Sequence, residues 1–477
     1  MIERREFYID GAWVNPTAAR DWTVINPSTE EPAAIISLGG TADVDAAVAA
    51  ANAALSGWAA TPPAERIALM EKVHEVYKRR HGEVAEAISL EMGAPKKLAH
   101  DSQADDCNIE DAIATAKGFE FERPLGDHAP GAQILMEPIG TVAMITPWNW
   151  PISQVTLKVF PALAAGCTMV LKPSEFAPLD SMLLAEMLDE AGLPKGVFNL
   201  VNGDGEGVGA ELSKHPGIDM VSFTGSTRAG IAITKAAAES LKRVRLELGG
   251  KGANIIFADA GERAVKTGVR KCFNNTGQSC NAPTRMLVER PFYDQAVEIA
   301  REAAESTEIG PAHEEGRHIG PLVSERQFNR VQELIQIGID EGARLVTGGV
   351  GRPDGMNRGY FVRPTIFADV SNDMAVAQQE IFGPVLTMMP FDTEEEAVTI
   401  ANDTPYGLTN YVQTEDGARR NRLARKLRSG MVEMNYRSRG AGAPFGGVKL
   451  SGDAREGGVW GLEEYLEVKS VSGWAAE

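Results

Sequence analysis

Apolar side chains recur at helical spacing through an alanine-rich stretch at 42–60, and again over 64–80 and 82–92, where Gly93 is placed to cap the last turn. This pattern predicts a helical layer near the start of the chain. The segment 118–139 breaks the rhythm with glycine, proline and charge, and reads as an excursion outside a unit that resumes at 140. From there short apolar runs alternate with helical stretches. Strands are predicted at 141–145, 168–171, 197–201, 220–223 and 244–248, with helices at 153–165, 181–191, 207–214 and 229–240 between them. Pro161 is expected to bend the first of these helices. Such alternation implies right-handed crossovers and a parallel sheet.

A second alternation follows, with strands predicted at 253–257, 383–389 and 431–435 and helices at 292–305, 324–340, 394–402 and 415–428. The tail Tyr465-Leu-Glu-Val-Lys-Ser-Val-Ser alternates like an edge strand, ready to pair with the 118–139 excursion or with another subunit. Ligands of parallel sheets bind beyond the C-terminal ends of the strands. The polar and glycine-rich residues gather at those ends: Trp148 and Asn149, Lys172 to Glu175, Gly203 to Gly209, Gly225 and Ser226, and Glu247 to Gly249.

At 477 residues, 43% hydrophobic and 24% charged, the chain has the composition of a globular protein of about three domains. A net charge of −19 disfavours nucleic acid as a partner. No apolar run is long enough to span a bilayer. The N-terminus, Met-Ile-Glu-Arg-Arg-Glu-Phe, has no apolar signal region, so a reduced, cytoplasmic setting is expected. The four cysteines form no CxxC pair, which argues against a zinc site, and no metal is expected. Cys107, Cys167 and Cys272 read as small buried hydrophobes.

The fourth, Cys280, lies in Phe-Asn-Asn-Thr-Gly-Gln-Ser-Cys-Asn-Ala-Pro-Thr-Arg at 273–285. Cysteine has a reference pKa of about 8.5, so a small fraction is thiolate near neutrality and modest activation suffices for attack on a carbonyl. The resulting oxyanion needs neutral donors. The Asn149 amide, on the Thr-Pro-Trp-Asn-Trp-Pro turn at 146–151, and the Cys280 N–H can supply them. Oxidation then needs a hydride acceptor, for which a nicotinamide dinucleotide suits an alternating α/β unit. Gly203–Gly209 is not the usual dinucleotide fingerprint; alone it is a weak phosphate signal that reads more readily as a simple turn. Phe223-Thr-Gly-Ser-Thr-Arg-Ala-Gly is a better anion site, because it follows a strand and opens a helix, with Ser226 facing the anion. Glu175 can accept from a ribose and would repel a 2′-phosphate, favouring NAD over NADP. Glu247, between Leu246 and two glycines in Leu-Glu-Leu-Gly-Gly-Lys, is a general-base candidate for thioester hydrolysis, against the bland reading of a solvated strand-end carboxylate.

These residues, with Lys-Pro-Ser-Glu at 172–175, Glu-Ile-Phe-Gly-Pro at 380–384 and Pro-Phe-Gly-Gly-Val-Lys at 444–449, resemble the NAD(P)-dependent aldehyde dehydrogenase superfamily over nearly the whole chain. The resemblance implies two doubly wound α/β domains plus a small β-flap used to form a homodimer or homotetramer. It places a cofactor-binding domain at 1–117 and 140–248, a catalytic domain at 249–447, and the flap and tail at 118–139 and 448–477. It implies Cys280 as nucleophile, Glu247 as base and Asn149 as oxyanion donor. Lys172 and Glu175, with Ser174, would hold the adenine-side ribose. Ile145, Trp148, Gly205, Gly209, Phe223, Gly225, Ser226, Leu248 and Gly249 would line the cofactor groove, and Glu380 and Phe382 would position the nicotinamide ribose and ring. Glu456 matches a second acid deep in the family's site and reads equally as a salt-bridged structural residue.

Departures from the family pattern fall around the aldehyde: Trp150, Asn274, Ser279 and Asn281, with Phe445 nearby. Arg437 and Arg439 sit in a loop that often lines the substrate mouth, either to meet a substrate carboxylate or to be solvated or paired across subunits. Two other chemistries compete. A CoA-acylating dehydrogenase would pass the thioester to CoA, but such relatives commonly lack the Glu247 base. A cysteine hydrolase would need a histidine partner, and no histidine lies near Cys280 in sequence.

Overall fold

The structure, a computed structural model, describes residues 1–474; positions 475–477 of the expected tail lie outside the described residues. Strands such as Thr141–Ile145 and Met220–Thr224 are buried at every position, so they read as unbroken apolar runs and must be covered on both faces. They belong to a seven-stranded sheet in the spatial order 243–247, 220–224, 141–145, 168–172, 198–200, 7–9, 12–14. The first five are parallel, and the Phe7–Ile9 and Ala12–Val14 hairpin closes the edge antiparallel. Two apolar clusters fill its faces, one built on the helices Pro63–Glu91 and Pro151–Ala165 and one on Val44, Ala47, Val48 and Ala51.

A second seven-stranded sheet runs 344–347, 365–368, 385–391, 285–289, 253–256, 409–413, 431–434, parallel except at the Arg344–Thr347 edge. It too has a core on each face. A three-stranded antiparallel arm stands apart, with Leu466–Ser472 paired along Ala132–Pro138, which pairs in turn with Glu122–Pro124. The tail thus completes the excursion within the chain and leaves Leu466–Ser472 as an edge strand, with Val468 exposed. Residues upstream in the expected 448–477 tail do not join the arm. Gly458–Glu463 packs on the helices Cys107–Gly118 and Pro151–Ala165, and Gly452 pairs with Glu247, because their apolar and backbone groups are satisfied there. A fourth, small sheet joins Ile2–Arg4, Glu31–Ser37 and Asp21–Asn26.

Two expectations are corrected. The helices expected at 64–80 and 82–92 are one helix, Pro63–Glu91, because Gly82 is exposed and its cost of about 1 kcal/mol in a helix interior is offset by the buried face around it. Gly93, at φ 85°, does follow its end. Cys107 is exposed, because it opens the Cys107–Gly118 helix on the side away from Ile109, Ala112 and Ile113; Cys167 and Cys272 are buried. No helix among the described residues is long and apolar enough to cross a membrane.

In the first sheet the chain order reverses between Thr141–Ile145 and Met220–Thr224, which are neighbours in space. Loops leaving their C-terminal ends diverge to opposite faces, opening the crevice where doubly wound sheets bind ligands. The second sheet faces it with the opposite ends of its strands. Gly249–Lys251, Cys280 and Glu380–Phe382 all lead into strand N-termini, at 253, 285 and 385.

Candidate active site

Cys280 is carried on a turn that the backbone would not adopt unaided. Asn275 and Thr276 take left-handed φ of 51° and 56°, a conformation that costs non-glycine residues about 1–3 kcal/mol each. An amide network holds it. Asn275 Nδ2 donates to the carbonyls of Asn149 at 2.7 Å and Gln278 at 3.1 Å. Gln103 Nε2 donates to Asn275 Oδ1 at 2.9 Å and Asn149 O at 3.3 Å. Gln278 ties the turn to the chain beyond, its Oε1 accepting from Val323 N at 3.0 Å. The Asn149 amide, buried, donates to Gln278 O at 3.1 Å. Asn149 and the Cys280 loop are therefore locked to each other, across the two sheets.

Beside the sulfur the electrostatics are negative. Burial first, then Glu247, Glu380 and Glu456, push the Cys280 thiol well above the usual cysteine range; the Asn281 N–H, aimed at the sulfur, works the other way. Glu247 ends the Arg243–Glu247 strand and is 1% exposed. Neither of its carboxylate oxygens has a hydrogen-bond partner among the described residues. Burial and the neighbouring Glu456 carboxylate raise its pKa well above the ordinary glutamate value, while Lys158 opposes them. Glu456 is buried and ion-paired with Lys158, so the two readings of Glu456 coincide: it is salt-bridged, and its charge acts on Glu247.

A cavity of about 240 Å³ lies at the crevice of the first sheet. It brings together Trp148, Asn149, Gly225, Ser226, Glu247, Leu248, Gly249, Cys280, Glu380 and Phe382 of the expected residues. Its walls come from both sheets, and the Trp148 and Phe382 rings meet edge-to-face at 5.4 Å across it. A Cβ at Gly249 would collide with the Glu380 carboxylate, which accepts from Gly250 N at 2.9 Å and is pushed by burial up to about 7. Ser226 caps the Thr227–Ala238 helix, Oγ accepting from Ala229 N at 3.3 Å. Ile145 and Phe223 are buried in the strands beneath.

Further along the same strand ends, Lys172 Nζ donates to Gly203 O at 2.6 Å and lies 3.4 Å from Glu175. Burial lowers its pKa, against the pull of Glu175. Ser174 Oγ accepts from Phe176 N. Gly205–Gly209 is a π-turn that feeds the short helix Ala210–Lys214, rather than the single helix expected from 207. Asp204 fastens it, accepting from Gly207 N at 2.6 Å.

A separate cavity of about 550 Å³ opens beside the Cys280 loop. Trp150, Asn274, Ser279, Asn281 and Arg439 line it, and Trp150 Nε1 donates to Ser279 Oγ at 2.9 Å. Arg437 is exposed and does not line it. Phe445 lies beneath Arg439, whose guanidinium stacks 4.7 Å from the ring centroid. Sequence reasoning missed Arg270, Lys271, Tyr411 and Glu433 in this cavity, and Arg326, Gln327 and Arg330 in the first. Gln327 Nε2 donates to the carbonyls of Ile381 and Phe382, at 3.2 and 2.9 Å, and so braces Phe382 at φ 59°. The one local signal was Ser324, whose side chain caps the Glu325–Asp340 helix that carries all three.

Known proteins share this fold and much of this sequence. The aldehyde dehydrogenase family profile matches residues 13–471. A 3-succinoylsemialdehyde-pyridine dehydrogenase from a Pseudomonas species is 50% identical, covering 99% of each chain. An aldehyde dehydrogenase from Bartonella henselae superposes with a TM-score of 0.98 at 57% identity, over 99% of this chain and 100% of that one. Aldehyde dehydrogenase C from Pseudomonas syringae, solved with NAD+ and octanal, gives 0.97 at 47% identity, over 99% and 97%. A nearly full-length match of fold and sequence together leaves one assignment: the chain belongs to the aldehyde dehydrogenase family, oxidoreductases acting on aldehyde groups.

Proposed function

We propose that this protein oxidises an aldehyde to a carboxylic acid with NAD, through a thioester on Cys280 hydrolysed by water that Glu247 deprotonates. The observation that carries the reading is that Cys280 lines the crevice of the doubly wound sheet with Asn149 and Glu247, while its chain neighbours Ser279 and Asn281 line a second cavity. Ser226 at its helix N-terminus, Gly225 and Gly249, where a Cβ would meet Phe223 and Glu380, and the buried, unpartnered Thr224 Oγ1 line the crevice and would hold a dinucleotide there. Lys172, Ser174 and Glu175 would hold the adenine-side ribose, and Glu380 and Phe382 the nicotinamide end, with Gly205, Gly209 and Leu248 alongside. Glu175 supplies a negative charge where NADP would bring a phosphate, so NAD is the cofactor favoured. The P. syringae relative solved with NAD+ supports the choice.

When bound, NAD supplies the acceptor for the hydride. The chain's own residues do the rest. The aldehyde enters beside Trp150, Ser279 and Asn281. The Cys280 sulfur adds to the carbonyl carbon, and the thiol proton passes to solvent. The carbonyl oxygen becomes an oxyanion, held by Asn149 Nδ2 and the Cys280 N–H; loss of one such donor typically costs about 2.7–4 kcal/mol of transition-state stabilisation. The amide network through Asn275 and Gln103 keeps that donor in place without reorganisation. Departure of hydride from the same carbon restores the carbonyl as a thioester. Glu247 takes a proton from water as it attacks; the C–S bond breaks and the acid leaves. One aldehyde, one water and one NAD+ give one acid, one NADH and one proton.

The domain roles follow: 1–117 and 140–248 bind the cofactor, 249–447 carries the chemistry, and the arm pairs subunits into a homodimer or homotetramer in the cytoplasm. The open Leu466–Ser472 edge supports the last point. Adding an aldehyde to protein with NAD+ is expected to produce NADH, read by its near-ultraviolet absorbance, and Cys280→Ser is expected to abolish it. NADH that appears only when CoA is added would favour the acylating reaction, and acid release without NADH would favour a hydrolase.

A further inference from the structure

The 550 Å³ cavity is lined by Arg270, Lys271 and Arg439 against a single carboxylate, Glu433, in a chain whose net charge is −19. Lys271 is accounted for: its Nζ lies 3.5 Å from Glu433 and within 6 Å of the Tyr411 and Tyr436 rings, at 5.8 and 5.3 Å. The two arginines make no ion pair with any described residue. Arg270 is exposed in the last turn of the Gly261–Phe273 helix, one helical turn before Asn274, which lines the same cavity. Arg439 comes from a separate loop, its flat face on Phe445 and its edge free.

A basic residue at a helix C-terminus favours the helix dipole, which explains Arg270 alone. It does not explain why an arginine from a distant loop lines the same cavity, held by an aromatic ring that fixes the plane of its donors. Planar guanidinium groups match carboxylate geometry, and a cleft of one charge sign raises the local concentration of the opposite one. Trp150, Ser279 and Asn281, the last two adjoining Cys280 in the chain, add neutral polar groups to the same cavity.

We propose that the site selects short aldehydes bearing a carboxylate at the far end of the chain, with Arg270 and Arg439 as its specificity residues. This rests on the aldehyde-oxidising reading above. The aldehyde end reaches Cys280 past Trp150, while the carboxylate stays at the rim between the two guanidinium groups. Neutral aldehydes of equal length gain nothing from that rim. Octanal, with which the P. syringae relative was solved, has no carboxylate for such a rim. Because both arginines are exposed, the attraction is screened by salt.

The test compares kcat/KM for succinic and glutaric semialdehydes with their methyl esters and with unbranched alkanals, in wild type, Arg270→Gln, Arg439→Gln and the double variant. Wild type is expected to favour the free acids over the esters by tenfold or more. That ratio is expected to fall about tenfold in each single variant, to shrink at about 0.5 M salt and to recover partly in Arg270→Lys. A second readout needs no turnover: the rate of Cys280 alkylation by iodoacetate relative to iodoacetamide is expected to drop in the double variant. A wild type that prefers esters or alkanals overturns the proposal while leaving aldehyde oxidation intact. Variants that lose activity on acids and esters alike also overturn it, because the arginines would then be structural. No NADH from any aldehyde would remove the catalytic reading beneath it.

Discussion

Glu247→Gln separates the two halves of the reaction. In the structure Glu247 is buried, both its oxygens lack hydrogen-bond partners, and the Glu456 carboxylate raises its pKa further. The amide is isosteric and carries no charge. It also brings N–H donors to a pocket where Glu456 Oε2 is itself buried and unpartnered. Stability is therefore expected to hold or rise, with a thermal midpoint no lower than that of wild type. Catalysis is expected to fall only where a base is needed. Removal of a general base costs about 10²–10⁴ in rate, or roughly 2.7–5.5 kcal/mol at about 1.36 kcal/mol per decade. Rapid mixing of the variant with NAD+ and aldehyde is expected to give a burst of about one NADH per site, followed by a steady state slowed by that factor. The thioester should then be trapped on Cys280 and visible as the substrate's added mass. A burst lost together with the steady state would refute a base confined to hydrolysis. Turnover within about tenfold of wild type would refute Glu247 as the base altogether.

Three further outcomes follow from the same geometry. Glu456→Gln removes the charge that holds up the Glu247 pKa, so the acid limb of the steady-state pH profile is expected to move to lower pH; a limb that stays in place or moves up would separate the two carboxyls. Gln103→Leu leaves Asn275 Oδ1 without its buried donor, at a cost of about 1–3 kcal/mol in denaturant unfolding, and lets Asn149 drift. The burst is then expected to slow about tenfold with KM little changed, and an unaltered burst would show that the Asn275 bonds alone hold the oxyanion donor. Burial raises Glu380 from an ordinary 4.5 to about 7 and Glu464 from 4.5 to about 8, so the folded state holds protons that the unfolded state releases. Their stabilising contribution is present below pH 4.5 and is lost as pH rises through 7 and 8. Urea midpoints are expected to decline across that window, and Glu464→Gln to flatten the decline.

What could be read from the chain and what could not divide along a physical line. Parallel strands buried on both faces leave unbroken apolar runs, so Thr141–Ile145 appears in the sequence at its true bounds, and Met220–Thr224 lies within a residue of its expected limits. The half-exposed Asp21–Asn26 and Ile2–Arg4 leave no such run, and neither was anticipated. The same holds within the site. Asn149, Glu247 and Cys280 stand in local motifs whose backbone is special, and these are visible in one dimension. Gln103 meets Asn275 across 172 positions and Lys158 meets Glu456 across 298, and nothing local marks them. The consequence reaches the chemistry. A cysteine taken alone suggests a thiol needing only slight activation, but folding surrounds Cys280 with Glu247, Glu380 and Glu456 and drives its pKa up instead. Two of those carboxyls are themselves raised, Glu247 by burial and the Glu456 charge, and Glu380 by burial. A neutral, protonated Glu247 places no charge beside the sulfur, so the thiolate forms at lower cost while Glu247 holds its proton, and the thiol proton goes to solvent. Glu247→Gln is therefore expected to lower the pH at which iodoacetamide alkylates Cys280, and an alkylation profile that stays in place would show that the Glu247 charge does not reach the sulfur.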